Sequence, residues 1–273
     1  MHFRRVGAAL CPAIMALVIS CDLDLLSDTS EEDGISAARV AQGLKEALAV
    51  GIDSAATRLG DSARGYLVDE AVRIALPEDV SGALDYVERL EQIPLAGQVL
   101  EFAALTGLRD SLRTSINRAA EKAAPMSVGI FKSAVTAMTI EDARGILNGD
   151  STEATDYLRE RTLQPLTDLY SPFVDSTLEL VGAHQLWTFI STNYNDLVTQ
   201  YTTLNALALD RLPEPAYDSL TTNLASYTTE YALKGLFLMV GREETRIRFD
   251  PLARVTEILE EVFGLLDRRE DDA

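Results

Sequence analysis

From Ile35 to Gly264 the apolar residues recur every three or four positions, and no convincing two-residue alternation interrupts them. That period lays apolar side chains along one face of a helix, whereas a strand needs a period of two. Ile35, Ala38, Ala41, Leu44, Leu48, Ile52, Ala55 and Leu59 trace one such stripe, and Gly60 ends it. Leu105, Leu108, Leu112, Ile116, Ala119 and Ala123 trace a second, which Pro125 interrupts or kinks. Thr139 precedes Glu141 and Asp142 as the cap of a further helix, with the acids at its positive end. Ile74-Ala75-Leu76-Pro77 reads as extended, because the residue before a proline avoids the helical region. Pro77, Pro94 and Pro251 sit where a first helical turn tolerates them. Helices are expected near 152–162, 165–182, 184–203, 216–248 and 251–263. Tyr231 to Val240 is apolar apart from Lys234 and Gly235, which predicts a central helix with Gly235 allowing close helix approach. The expected fold is all-α, a single irregular bundle of about eight to ten helices.

The amino-terminal segment has a different grammar. Arg4 and Arg5 precede an uncharged apolar run, Val6 to Ile19, that rises only about 21 Å as a helix against a hydrocarbon core of about 30 Å. A positive start followed by a short apolar run is a signal peptide rather than a spanning anchor. The run ends in Val18-Ile19-Ser20-Cys21, which resembles the lipobox of bacterial lipoproteins. Residues 1–20 are therefore read as a cleaved signal, with Cys21 as the lipid attachment site. Two or more acyl chains anchor stably where one does not. Residues 21–35 form a short acidic tether, 36–264 the helical domain and 265–273 a charged tail. The expected location is exported, membrane-anchored and facing the periplasm.

Charge and residue counts remove whole classes of function. The 43 acidic residues against 24 Lys and Arg give a net charge of −19, and the signal carries away two arginines and no acid. Nucleic acid is excluded as a partner, since phosphate binding needs a basic surface. The only cysteines are Cys11, inside the signal, and Cys21; the only histidines are His2 and His184. Disulfides and Cys/His zinc sites have no residues to build them, and no cofactor is expected. Gly60-Asp61-Ser62 looks like an esterase nucleophile block, but His184 lacks the Asp-x-x-His context, so a helix stop and turn explain it better. Asn148-Gly149-Asp150-Ser151-Thr152-Glu153 is similar to half a calcium loop, with Glu153 where glycine is needed. One helix ending and another beginning account for it. His184 and Trp187 read as a packed aromatic edge.

A set of spaced pieces carries a specific resemblance. Asn117-Arg118-Ala119-Ala120-Glu121 with Ala124-Pro125 resembles the signature of the bacterial envelope family DUF4197, a domain of unknown function. Ile74-Ala75-Leu76-Pro77, Asp142-Ala143 with Ile146-Leu147, and Gly149 with Ala154-Thr155-Asp156-Tyr157 are similar to further pieces in the same order. Gly235-Leu236-Phe237, Glu243-Glu244, Ile247-Arg248, Pro251, Arg254 and Val262-Phe263-Gly264 complete the pattern, over about residues 40–264. Leu158 stands where the family usually has Phe, and Thr228 where it usually has Val. The resemblance implies an exported all-helical domain, often a lipoprotein, and supplies no activity.

Asn117, Arg118, Glu121, Asp142, Thr155, Tyr157, Glu244 and Arg248 are the candidate polar residues. Asn117 and Glu121, four apart, share a helix face and border the apolar stripe; Glu244 and Arg248 repeat that spacing. One reading is a set of interhelical hydrogen bonds and ion pairs that fix the packing; the other is convergence on a polar pocket. Two function classes follow. The first is a non-enzymatic binding or interaction module taking a basic protein partner, a small apolar ligand or a cation. The alternative is a histidine-independent enzyme using carboxylate, Tyr and Arg groups.

Overall fold

The computed structural model describes residues 35–93, 107–208 and 212–271. The expected signal peptide, Cys21, nearly all of the tether, Pro94 and Leu105 lie outside the described residues. The helices are α1 (Ala37–Gly60), α2 (Glu78–Glu91), α3 (Leu108–Ala123), α4 (Ser127–Ala137), α5 (Ile140–Asn148), α6 (Glu153–Leu180), α7 (Ala183–Leu207), α8 (Leu224–Phe249) and α9 (Glu257–Asp271). The described residues contain no strand, and the fold is all-α as expected.

Local sequence sets most of the helix ends. The Ser36 hydroxyl caps α1 by accepting the Arg39 N–H at 3.3 Å. Pro125 falls in a single 3₁₀ turn, Ala124–Met126, that joins α3 to α4, as its missing N–H requires. Thr139 and Asp142 form a reciprocal capping box on α5: the hydroxyl accepts the Asp142 N–H at 3.0 Å, and the carboxylate accepts the Thr139 N–H at 2.9 Å. Gly182, at φ 74, makes the left-handed turn from α6 into α7.

Three boundaries depart from the sequence reading. The two helices expected at 152–162 and 165–182 are one, with Pro165 and Pro172 inside α6. Both prolines are exposed and seven residues apart, so the carbonyls that they strand face water. The helix expected from 216 begins at Leu224, where Asn223 caps it by accepting the Ser226 N–H at 2.8 Å. The residues before it run along α7: the Asn195 carboxamide accepts the Leu220 N–H at 2.8 Å, and the Tyr194 hydroxyl accepts the Tyr217 N–H at 3.1 Å. At the other end, α9 continues to Asp271, through most of the stretch read as a tail.

Helix α8 is central, packed most extensively against α6 and α1, while α1 also packs on α4, α5 and α9. Leu236 and Phe237 are buried, and the Phe237 ring meets Phe131 edge-on with centroids 5.6 Å apart. The neighbour that comes close at Gly235 is a ring rather than a helix. A Cβ there would stand 2.6 Å from Tyr66 Cε1. Tyr66 belongs to the non-helical segment after α1, and its hydroxyl donates to the Ala232 carbonyl at 2.6 Å. Burial pushes that phenol far above its ordinary pKa, with Tyr170 adding to the effect. No single helix among the described residues is long and apolar enough to cross a membrane.

Candidate functional site

The eight candidate residues fall into three groups with different partners. Asn117, Arg118 and Glu121 grip the non-helical segment between α1 and α2. The Asn117 carboxamide accepts the Ile74 N–H and donates to the Ile74 carbonyl, each at 2.8 Å, and donates to the Arg113 carbonyl at 2.8 Å. Glu121 accepts the Leu67 N–H at 3.1 Å and the Arg118 guanidinium at 2.5 Å, while Arg118 also donates to the Ser62 carbonyl at 3.0 Å. Asn117 and Glu121 are buried and not at the border of the apolar stripe, because this segment lies over their face of α3. Ile74 and Leu67 thus find side-chain partners for backbone groups that no helix or sheet pairs.

Thr155, Glu244 and Arg248 form a second group where α8 crosses the junction of α5 and α6. The first turn of α6 lacks a side-chain cap of its own, since Thr152 makes none. Glu244 supplies it from across the interface, accepting the Ala154 N–H at 3.0 Å, the Thr155 N–H at 2.8 Å and the Thr155 hydroxyl at 2.8 Å. One turn further along α8, Arg248 donates to Glu244 Oε1 at 3.1 and 3.0 Å and to the last-turn carbonyls of α5, Ile146 at 2.8 Å and Leu147 at 3.3 Å. A carboxylate thus faces a helix start and a guanidinium a helix end, the arrangement that both helix dipoles favour. Arg254 then repeats the device on α8, donating to the Ile247 carbonyl at 3.2 Å and the Arg248 carbonyl at 2.7 Å. The four-residue spacing of Glu244 and Arg248 on α8 is visible in the sequence as an i,i+4 pair; their role as a double cap for two other helices is not.

Asp142 and Tyr157 form the third, half-buried group. The Thr139 backbone N–H and hydroxyl, then Arg161, hold the Asp142 carboxyl below the usual range. Burial and the Asp142 charge raise the Tyr157 phenol. Their mutual contact is long, 3.5 Å, and Arg161 sits 4.7 Å over the Tyr157 ring. His184 lies at the α6–α7 elbow with Nε2 3.1 Å from Asp175, and Trp187 packs against the core. Among the described residues, no group of three or more His, Cys, Asp or Glu could hold a metal ion.

A feature that the sequence reading missed is a groove of about 810 Å³ between α6 and α8. Arg159 and Phe237 face each other at one end, the guanidinium 5.2 Å over the ring, and Ser171 and Ser226 lie at the other. Leu163, Leu233, Phe237 and Leu238 make it apolar; its one acid, Glu230, is ion-paired with Lys234 at 2.6 Å. Thr229 lines the wall, buried, and its hydroxyl has no partner among the described residues. The half-exposed Leu163 and Leu238 were the available signal, at positions a helical stripe alone does not separate from core.

Residues 34–264 match the family described as "Protein of unknown function (DUF4197)". The chain belongs to the DUF4197 family. No curated protein and no solved structure matches it. The pieces that carry the DUF4197 resemblance meet in the two buried groups. Ile74 is held by Asn117, Ile146 and Leu147 by Arg248, and Ala154 and Thr155 by Glu244. Thr228 is fully buried, and its hydroxyl has no partner among the described residues.

Proposed function

We propose that this DUF4197 protein is an exported, lipid-anchored envelope protein whose helical domain is a binding module for a small apolar ligand. The α6–α8 groove carries the reading. It is largely apolar, of the volume ordinary for a ligand pocket, and has a few polar groups on its walls, among them the Thr229 hydroxyl, which has no partner among the described residues. The acids support a binding role: Glu121 and Glu244, away from the groove, are engaged with backbone and arginine, and Glu230, on its wall, with lysine. The signal-like start and Cys21 support the anchoring. The negative charge also suits a basic protein partner.

Native mass spectrometry of the membrane-extracted protein tests this. The expected result is a retained apolar mass, or uptake of the probe N-phenyl-1-naphthylamine, that Leu163→Gln with Leu238→Gln abolishes at unchanged melting temperature. Neither retention nor uptake by the unaltered protein would refute the binding reading.

A further inference from the structure

Three large apolar side chains stand in solvent where α8 ends: Phe249 is 59% exposed, Leu252 92% and Val255 66%. They are not on a frayed terminus. A 3₁₀ turn, Pro251–Ala253, carries Leu252, and the Asp250 carboxylate accepts the Leu252 N–H at 3.0 Å. The buried Arg254 ties the turn to the end of α8 through the carbonyls of Ile247 and Arg248. The turn thus holds its apolar side chains outward.

This tip shares its end of the bundle with the point where the tether joins. Gly51 of α1 lies beside Glu243 and Ile247, and Leu44 and Leu48 border a small void with Ile247 and Arg248, so α1 runs antiparallel to α8. Arg39, in the first turn of α1, is ion-paired with Glu261 at 2.9 Å, and a Cβ on Gly43 would stand 2.5 Å from Val262 Cγ2. The first turns of α1 therefore stand beside the segment that directly follows Val255. The stretch from Cys21 to Ile35 reaches at most about 50 Å when fully extended.

We propose that Phe249, Leu252 and Val255 form a tip that inserts into the surface of the bilayer holding the anchor. The inference rests on the reading of Cys21 as the lipidated residue. A tether of this length keeps the tip at an effective concentration of millimolar order near the membrane, where a few apolar side chains suffice for lasting contact. Asp250 and Glu257 flank the tip, and the protein as a whole is acidic, so the fitting surface is zwitterionic lipid rather than anionic lipid. Docked this way, the bundle stands on end and the α6–α8 groove faces the aqueous side.

The test uses full-length protein, processed in the cell and reconstituted into phosphatidylethanolamine/phosphatidylcholine vesicles. Leu252→Cys is labelled with an environment-sensitive fluorophore, with Leu180→Cys as control; Leu180 is 82% exposed at the opposite end, where α6 finishes. Cys11 leaves with the signal and Cys21 is blocked by lipid, so a mass carrying one label and the acyl groups verifies the anchor separately. The expected result is a blue-shifted label at 252 that nitroxide-bearing lipid quenches, with the label at 180 unaffected. Equal, water-like emission at both positions overturns the tip, as does protection at 252 that comes from pairing of two copies or from a bound protein without lipid quenching. If Cys21 is bare, the anchor reading fails alone, and the Cys21→Ser protein decides the tip. Its partition onto the same vesicles should fall about tenfold for each of Leu252→Ser and Val255→Ser. No difference from the unaltered tip would overturn the proposal there.

Discussion

Glu121 and Glu244 look alike in sequence and differ in the fold. Each is a buried glutamate with an arginine on its own helix, and each accepts from the backbone of a distant segment, Glu121 one N–H and Glu244 two. Glu121 holds a non-helical stretch against α3, and its partner Arg118 remains 35% exposed. Glu244 holds a helix start, and its partner Arg248 is 4% exposed and engaged with the end of another helix. The difference lies in the cation. When a carboxylate is neutralised, a partner that water reaches is resolvated, and one that water does not reach is left as a buried charge.

That contrast orders the expected losses. Glu244→Gln strands Arg248 in the interior, which should lower unfolding free energy by about 3–5 kcal/mol. Chemical denaturation measures it, and a loss below about 1 kcal/mol would mean that Arg248 finds water or another acceptor. Glu121→Gln keeps an amide oxygen for the Leu67 N–H and leaves Arg118 in contact with solvent and the Ser62 carbonyl, for an expected loss of about 1 kcal/mol. Any cellular defect should then scale with protein abundance; a defect without destabilisation would assign Glu121 a binding role instead. Asp142 ends the series as a half-buried capping carboxylate near the surface. Its folded pKa is depressed, so its contribution is present above the unfolded value of about 4 and is lost as pH falls through the lower folded value. Asp142→Asn should flatten that acid limb by lowering the melting temperature slightly at neutral pH, with variant and unaltered protein converging as pH falls through the folded value, which a pH series of thermal melts reads directly.

What was legible in the sequence was what neighbours along the chain decide. Gly60, Thr139 with Asp142, and Pro125 each act within a turn of their own position, and the structure has them doing so. The break expected between 162 and 165 is absent because Pro165, like Pro172, lies on the exposed face of α6, where water reaches the stranded carbonyl, and exposure is a tertiary property. Residues 216–223, expected in the helix, stand outside α8 because side chains of α7, more than twenty positions away, capture their backbone. Asn117 and Glu121 were recognised as a pair on one face, and their burial was not, since the segment that covers them lies more than forty residues upstream. The groove required two helices to be placed side by side before it existed.

The chain of caps running along the end of α8 has a consequence for how the domain opens. Arg254 secures the last carbonyls of α8, Arg248 those of α5, and Glu244 the first amides of α6. None of these ends can fray without stripping the partner of the next, so this corner behaves as one cooperative unit rather than three loose termini. Amide protons at Ala154 and Thr155 and those of the final turn of α8 should therefore exchange with solvent through a common opening.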